Sequence, residues 1–195
     1  MEKYSFQDSL SKTTNLFSSL HSADFLSRIE LLGEKIVQSL AQGGKLVTFG
    51  NGGSAAEASH FATELVSKCS RNHEPWAAIS LSDSGSNLTA IGNDYGFDNV
   101  FARQIQGLAG MNDCVVGFST SGKSPNILRG LNAAYELGCT TYLVTGESYS
   151  PGPGFPWEAI VFPSRETTKI QEAHLWMIHA LSEYCESRIH PKANP

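Results

Sequence analysis

After about residue 44 the chain alternates between short apolar runs of strand length and longer segments with helical periodicity. That alternation confines it to a parallel sheet covered by helices on both faces. Strands are expected at residues 45–49, 77–81, 114–119, 140–145 and 159–162. Helices are expected at 55–68, near 87–91 and 99–109, and at 125–137 and 167–189. The resulting fold class is α/β: a five-stranded parallel sheet in a three-layer, flavodoxin-like sandwich. The first 43 residues read as an N-terminal helical extension to a core domain at 44–195. Phe6, Leu10, Leu16, Phe17 and Leu20 mark one amphipathic helix; a second, capped by Ser22 or Asp24, carries Phe25, Ile29, Leu32, Ile36, Val37 and Leu40. Such a pair serves an interface or covers the sheet. The breaker-rich run 148–156 is a loop rather than a domain linker.

Ligands in open parallel sheets bind beyond the carboxyl ends of the strands. The first such end is a glycine-rich turn, Gly50-Asn51-Gly52-Gly53-Ser54, which opens directly into a helix. Ser54 and Glu57 have the spacing of a capping box, with Ser54 as the N-cap. His60 and Glu64, four residues apart, share one face of that helix. An imidazole and a carboxylate placed this way suit acid/base chemistry or a metal, although many such pairs are only solvated surface pairs.

A second strand end carries Gly117-Phe118-Ser119-Thr120-Ser121-Gly122-Lys123-Ser124, which matches the P-loop pattern letter for letter. Pro125 argues against nucleotide hydrolysis, because a residue before proline is pushed out of the α region. Ser124 therefore reads as an N-cap, with Pro125 in the first helical position. No apolar strand ends in a convincing magnesium-binding Asp either. The loop still has the chemistry of a phosphate site. It offers four hydroxyls, a glycine for close approach and the positive end of a helix dipole. This favours a sugar phosphate over a triphosphate, and no nucleotide cofactor is expected.

The C-terminal helix holds two histidines. Gln171, Leu175 and His179 lie on one i+4 diagonal, with the Gln171 and His179 backbones about 12 Å apart along the axis. Both side chains reach one ligand or metal only when extended toward each other. His174 lies on a different row, three residues from Gln171.

Composition narrows the class. The net charge is −5, without a long basic run, which argues against a nucleic-acid surface. No apolar stretch approaches the roughly 20 residues of a membrane span, and no signal-peptide core is present at the start. The four cysteines, Cys69, Cys114, Cys139 and Cys185, are dispersed. They read as reduced, mostly buried thiols of a cytoplasmic protein.

Four segments together, GNGGSAAEASHFATELV, LTAIGNDYGFDNVFARQI, GFSTSGKSPNILRGLNAA and KIQEAHLWMIHAL, resemble the sugar isomerase (SIS) domain family, in its phosphoheptose isomerase branch. The resemblance implies a tetrameric cytoplasmic enzyme. It would convert sedoheptulose 7-phosphate to glycero-manno-heptose 7-phosphate for nucleotide-activated heptose synthesis, as in lipopolysaccharide or capsule. By position it implies substrate contacts from Asn51, Gly52, Gly53, Glu64, Asn93, Asp94 and Gln171. Ser119, Thr120, Ser121 and Ser124 would hold the phosphate. Glu64 and His179 would be the acid/base pair, and His60, Glu64, Gln171 and His179 the ligands of a zinc ion. Glu64 and His179 are distant in the chain, so either could come from a neighbouring subunit. Three features depart from the family pattern: Lys123 in place of Asn, Lys68 in place of Arg, and Glu-Ser-Tyr-Ser-Pro-Gly-Pro-Gly after Gly146 in place of an Asp-Gly-Gly turn. They bear on which sugar phosphate is used.

Overall fold

The structure, a computed structural model, describes residues 4–150 and 156–189. Two helices come first, α1 (Phe6–Ser19) and α2 (Ala23–Ala41). Ser22, not Asp24, caps α2, accepting from the Phe25 N–H. Strands and helices then alternate as β1 (Leu46–Gly50), α3 (Gly53–Val66), β2 (Ala78–Ser80), α4 (Gly85–Tyr95), α5 (Val100–Leu108), β3 (Cys114–Ser119), α6 (Pro125–Glu136), β4 (Thr140–Gly146), β5 (Glu158–Phe162) and α7 (Thr167–Ile189). A single 3-10 turn, Phe97–Asn99, separates α4 from α5.

All strand pairs are parallel, in the order β2-β1-β3-β4-β5. The order reverses between β1 and β3. The crevice at that switch point is where a doubly wound sheet takes its ligand. The glycine-rich turn after β1 and the hydroxyl-rich loop after β3 both open there.

Side chains alternate across the strands and feed two cores. On one face Cys114, Val116 and Phe118 of β3 pack with Phe61 of α3, Leu32 and Ile36 of α2 and Met177 of α7. On the other, Val115 joins Val47, Phe49, Phe101, Ile105, Ile127 and Leu131. Gly117 keeps this second core tight: a Cβ there would stand 3.1 Å from both Leu131 and Phe49. The N-terminal helices contribute to the first core through Leu16, Leu20, Phe25 and Ile29. They also leave Phe6 84% and Leu10 68% exposed, far more than a helix facing only its own sheet would.

Helix α4 is longer than the expected segment near 87–91, because Ser84 caps its start by accepting from Asn87 N–H. The strand expected at 77–81 shortens to Ala78–Ser80. The loop at 148–156 lies partly outside the described residues. Among the described residues no helix is long and apolar enough to cross a membrane.

Candidate active site

The turn after β1 is tighter than a capping box would make it. Gly52 has φ +56, a left-handed conformation that glycine adopts without strain, and α3 begins at Gly53. A Cβ on Gly50 would collide with the Ser54 backbone, so Ser54 is drawn in against the strand end and buried. The expected capping box is therefore corrected: Ser54 is not the N-cap, and the cap position, Gly52, has no side chain to use. Glu57, freed from that role, turns inward and is 7% exposed.

Gly53, Glu57, His60 and Glu64 form one stripe along α3, and it faces α7. His60 Nε2 lies 2.9 Å from His179 Nε2 and 3.1 Å from Glu64 Oε1. The two imidazoles meet edge to face at 5.1 Å between centroids. Two ring nitrogens at hydrogen-bond distance require a proton on one and a lone pair on the other, or a cation between two lone pairs. The ligand atoms of His60, Glu64 and His179 all lie within 4.8 Å of one another. Two imidazoles and a carboxylate are acceptable zinc donors, so these residues fit a metal. The acid/base candidates, which the sequence left open to sharing between subunits, meet within one chain. Gln171 sits at the other end of the same groove, with its amide against Gly53, where a Cβ would find no room. The groove encloses about 370 Å³ between α3 and α7, and Leu175 at its edge is 40% exposed.

His174 is fully buried, between the rings of Phe118 and Phe162 at 5.8 and 4.9 Å. Its Nδ1 faces Glu57 Oε2 at 3.5 Å. It stands away from the His60–His179 contact, as its separate helix row predicts.

Cys69 reaches the cluster from the loop after α3, with Sγ 4.0 Å from the His179 carbonyl. Burial, and after it the neighbouring Glu64 carboxylate, pushes its thiol up to about 11. The thiol donates to the His179 carbonyl, beside the Glu64 carboxylate. Glu186 holds this loop, accepting from the N–H groups of Cys69 (2.9 Å), Ser70 (3.1 Å) and Arg71 (3.0 Å). From the sequence Glu57 has only a capping role and Cys69 only that of a buried thiol, since both act through contacts more than a hundred residues away.

In the loop after β3, Ser124 occupies the N-cap position with extended ψ 117, and Pro125 is in the first turn. Its hydroxyl makes no capping bond and faces Ser119 Oγ at 3.3 Å instead. Gly122, at φ +64, donates to Ser119 Oγ. The ring of Tyr149 lies against Gly122 and leaves no room for a Cβ. Thr120 is half-buried, while Ser121 and Lys123 are exposed. Lys123 precedes the helix, where a P-loop lysine would lie within its first turn. The Asn51 amide, half-buried, pairs with Asn126 of α6, another residue the sequence reading passed over. Asn93 and Asp94 are exposed near the end of α4, bonded to each other at 2.7 Å. That helix packs on α5 rather than on α3 or α7. Lys68 is exposed.

Comparison with known proteins agrees with this geometry. Residues 10–146 match the SIS domain family model. A probable phosphoheptose isomerase from Thermoplasma volcanium is 45% identical over 162 residues, 83% of each chain. The phosphoheptose isomerase of Aquifex aeolicus is 40% identical over 84% of this chain and 90% of its own. The solved phosphoheptose isomerase from Neisseria gonorrhoeae superposes with a TM-score of 0.81 at 33% identity, covering 93% of this chain and 96% of the other. The chain belongs to the SIS domain family and, within it, to the phosphoheptose isomerases.

Proposed function

We propose that this isomerase interconverts sedoheptulose 7-phosphate and D-glycero-D-manno-heptose 7-phosphate through an enediol. The observation that carries the mechanism is the meeting of His60, Glu64 and His179 across α3 and α7. A non-catalytic binding protein of the same fold would need no such cluster.

The phosphate sits in the 119–124 loop, held by the hydroxyls of Ser119, Thr120, Ser121 and Ser124 and by the N-terminus of α6. Asn51, Gly52 and Gly53 contact the sugar, with Asn93, Asp94 and Gln171 as further contacts. Glu64 removes a proton from C1 of the ketose while His179 protonates the C2 oxygen, giving the enediol. The O1 proton then leaves and C2 receives a proton, which yields the aldose. His60, Glu64 and His179 would hold a zinc ion, and Gln171 would complete the set only by turning its amide away from Gly53 toward them. Such an ion supplies Lewis-acid polarisation of the substrate oxygens.

The assembly is a homotetramer. Phe6, Leu10, Leu26 and Leu31 are exposed apolar residues on α1 and α2 that a second copy would cover. The open α3–α7 groove, with Leu175 at its edge, is closed by a neighbour. Residues 1–43 thus act as the oligomerisation element. We place the enzyme in the cytoplasm, at the first step of nucleotide-activated heptose synthesis for lipopolysaccharide or related glycoconjugates.

One observation favours a different sugar phosphate as substrate. Tyr149, in the segment that departs from the family pattern, lies directly on the phosphate loop at Gly122. Incubating the pure protein with sedoheptulose 7-phosphate and with five- and six-carbon ketose phosphates, and following aldose formation, decides between the substrates. Turnover confined to the heptulose supports the first reading. Preference for a shorter sugar replaces it with the second.

A further inference from the structure

Asn126 stands in the first turn of α6 and is 2% exposed, yet its amide is bonded at both ends. Its Nδ2 donates to Asn51 Oδ1 at 2.9 Å. Its Oδ1 accepts from Asn51 Nδ2 at 2.9 Å and from the Ile127 backbone N–H at 3.0 Å. Helix α6 does not need this amide in order to start, because Ile127 N–H also donates to the Ser124 carbonyl at 3.1 Å. An apolar side chain of the same volume would be buried here without any polar group to desolvate. What the amide adds is its two-bonded pairing with Asn51, 75 residues away.

That pairing spans the switch point of the sheet. Asn51 belongs to the turn that runs from β1 into α3, and Asn126 to the helix whose N-terminus closes the 119–124 loop. The two elements are otherwise joined through the β1–β3 pairing, which ends at Gly50 and Phe118. Beyond those residues the turn and the loop diverge from the sheet. The amide pair is then a brace between two segments that must each face the same ligand. Being buried and two-bonded, it fixes orientation as well as distance.

We propose that Asn126 is a positioning residue for substrate. It holds the Asn51–Gly53 turn at a fixed spacing from the phosphate loop, so that one sugar phosphate engages both. This rests on the sugar-phosphate isomerase reading above. A sugar phosphate bridges the turn and the loop, whereas inorganic phosphate occupies the loop alone. Breaking the brace therefore weakens the first ligand and spares the second. A merely structural role for Asn126 would not separate the two.

The test is calorimetric titration of the full-length protein, Asn126→Leu and Asn126→Ala, with sedoheptulose 7-phosphate and with inorganic phosphate. Leu preserves the volume without introducing charge near the phosphate. Ala checks that any effect is not crowding by the new side chain. The dissociation constant for the sugar phosphate should rise about tenfold in both variants, the scale of one lost buried hydrogen bond, while that for phosphate stays within about twofold. Equal weakening of both ligands would show that the loop itself had collapsed, and would overturn the proposal. Unchanged affinity for both would overturn it as well. Wild-type turnover separates this outcome from the reading it rests on. A wild-type protein that binds the heptulose phosphate without isomerising it refutes the reaction and leaves the brace standing. Normal turnover together with tight sugar-phosphate binding by both variants refutes the brace alone.

Discussion

At the proposed phosphate end of the site, hydroxyls and backbone N–H groups follow one another within six consecutive positions, 119–124, at the tip of one strand. At the other end, His60 and His179 are 119 residues apart and meet only because α3 packs on α7. The first region is redundant and local: several hydroxyls would share one ligand, and the helix N-terminus would contribute whatever the side chains are. The second is sparse and long-range, with one carboxylate and two imidazoles that each lack a substitute. Loss of a single group should therefore be graded at the phosphate end and severe at the other.

The largest effects are expected at Glu64 and His179. Glu64→Gln keeps the shape of the side chain but removes the proposed base, and His179→Ala removes the proposed proton donor. Each should lower kcat by about 10²–10⁴, the usual contribution of general acid/base catalysis, with sugar-phosphate binding retained in calorimetry. Because both groups meet in one chain, a mixture of the two inactive variants should stay inactive. Recovered activity in the mixture would place the pair across an interface and break the comparison.

Smaller losses should follow at the phosphate loop. Ser119→Ala or Ser124→Ala should raise KM about ten- to a hundredfold, as each would remove one hydrogen bond to a charged group worth about 1.5–3 kcal/mol, and kcat should change less. A collapse of kcat equal to that of Glu64→Gln would erase the distinction between the two regions.

His174 sharpens the comparison from within α7. It is a buried ring among Phe118 and Phe162, so His174→Ala leaves a cavity rather than removing a catalytic group. Stability should fall by about 2 kcal/mol or more, seen as a Tm several degrees lower. The kcat measured well below that Tm should stay near that of the wild type. A loss of kcat matching that of His179→Ala would mean that the Glu57–His174 pair takes part in the chemistry.

The smallest effect is expected for Lys123→Ala. Lys123 is exposed and outside α6, so Mg-ATP should show no binding to the wild type at millimolar concentration and none to the variant. Tight Mg-ATP binding lost in Lys123→Ala would restore the P-loop reading.

The same contrast explains what the sequence disclosed. β3 and α7 begin and end where the sequence pattern puts them, because strand alternation and helix periodicity are local. Ser124 and Pro125 take the positions their own φ/ψ preferences dictate. Ser54 does not, because the missing Cβ of Gly50 lets the next turn close two residues earlier, a contact that no capping pattern encodes. Glu57 looked like the partner of that cap and is instead the partner of His174. Nothing in the local sequence marks Asn126, since its partner lies across the sheet's switch point. The i+4 diagonal singled out His179, yet only the packing of α7 on α3 shows which residues it meets.

The most direct test of the account is to run the reaction on sedoheptulose 7-phosphate in D2O, with wild-type protein and Glu64→Gln, and to follow it by NMR. The wild type should form the heptose 7-phosphate with solvent deuterium at C2, and Glu64→Gln should form it about 10²–10⁴ times more slowly at a comparable protein concentration. Aldose formation by Glu64→Gln at the wild-type rate would contradict the account.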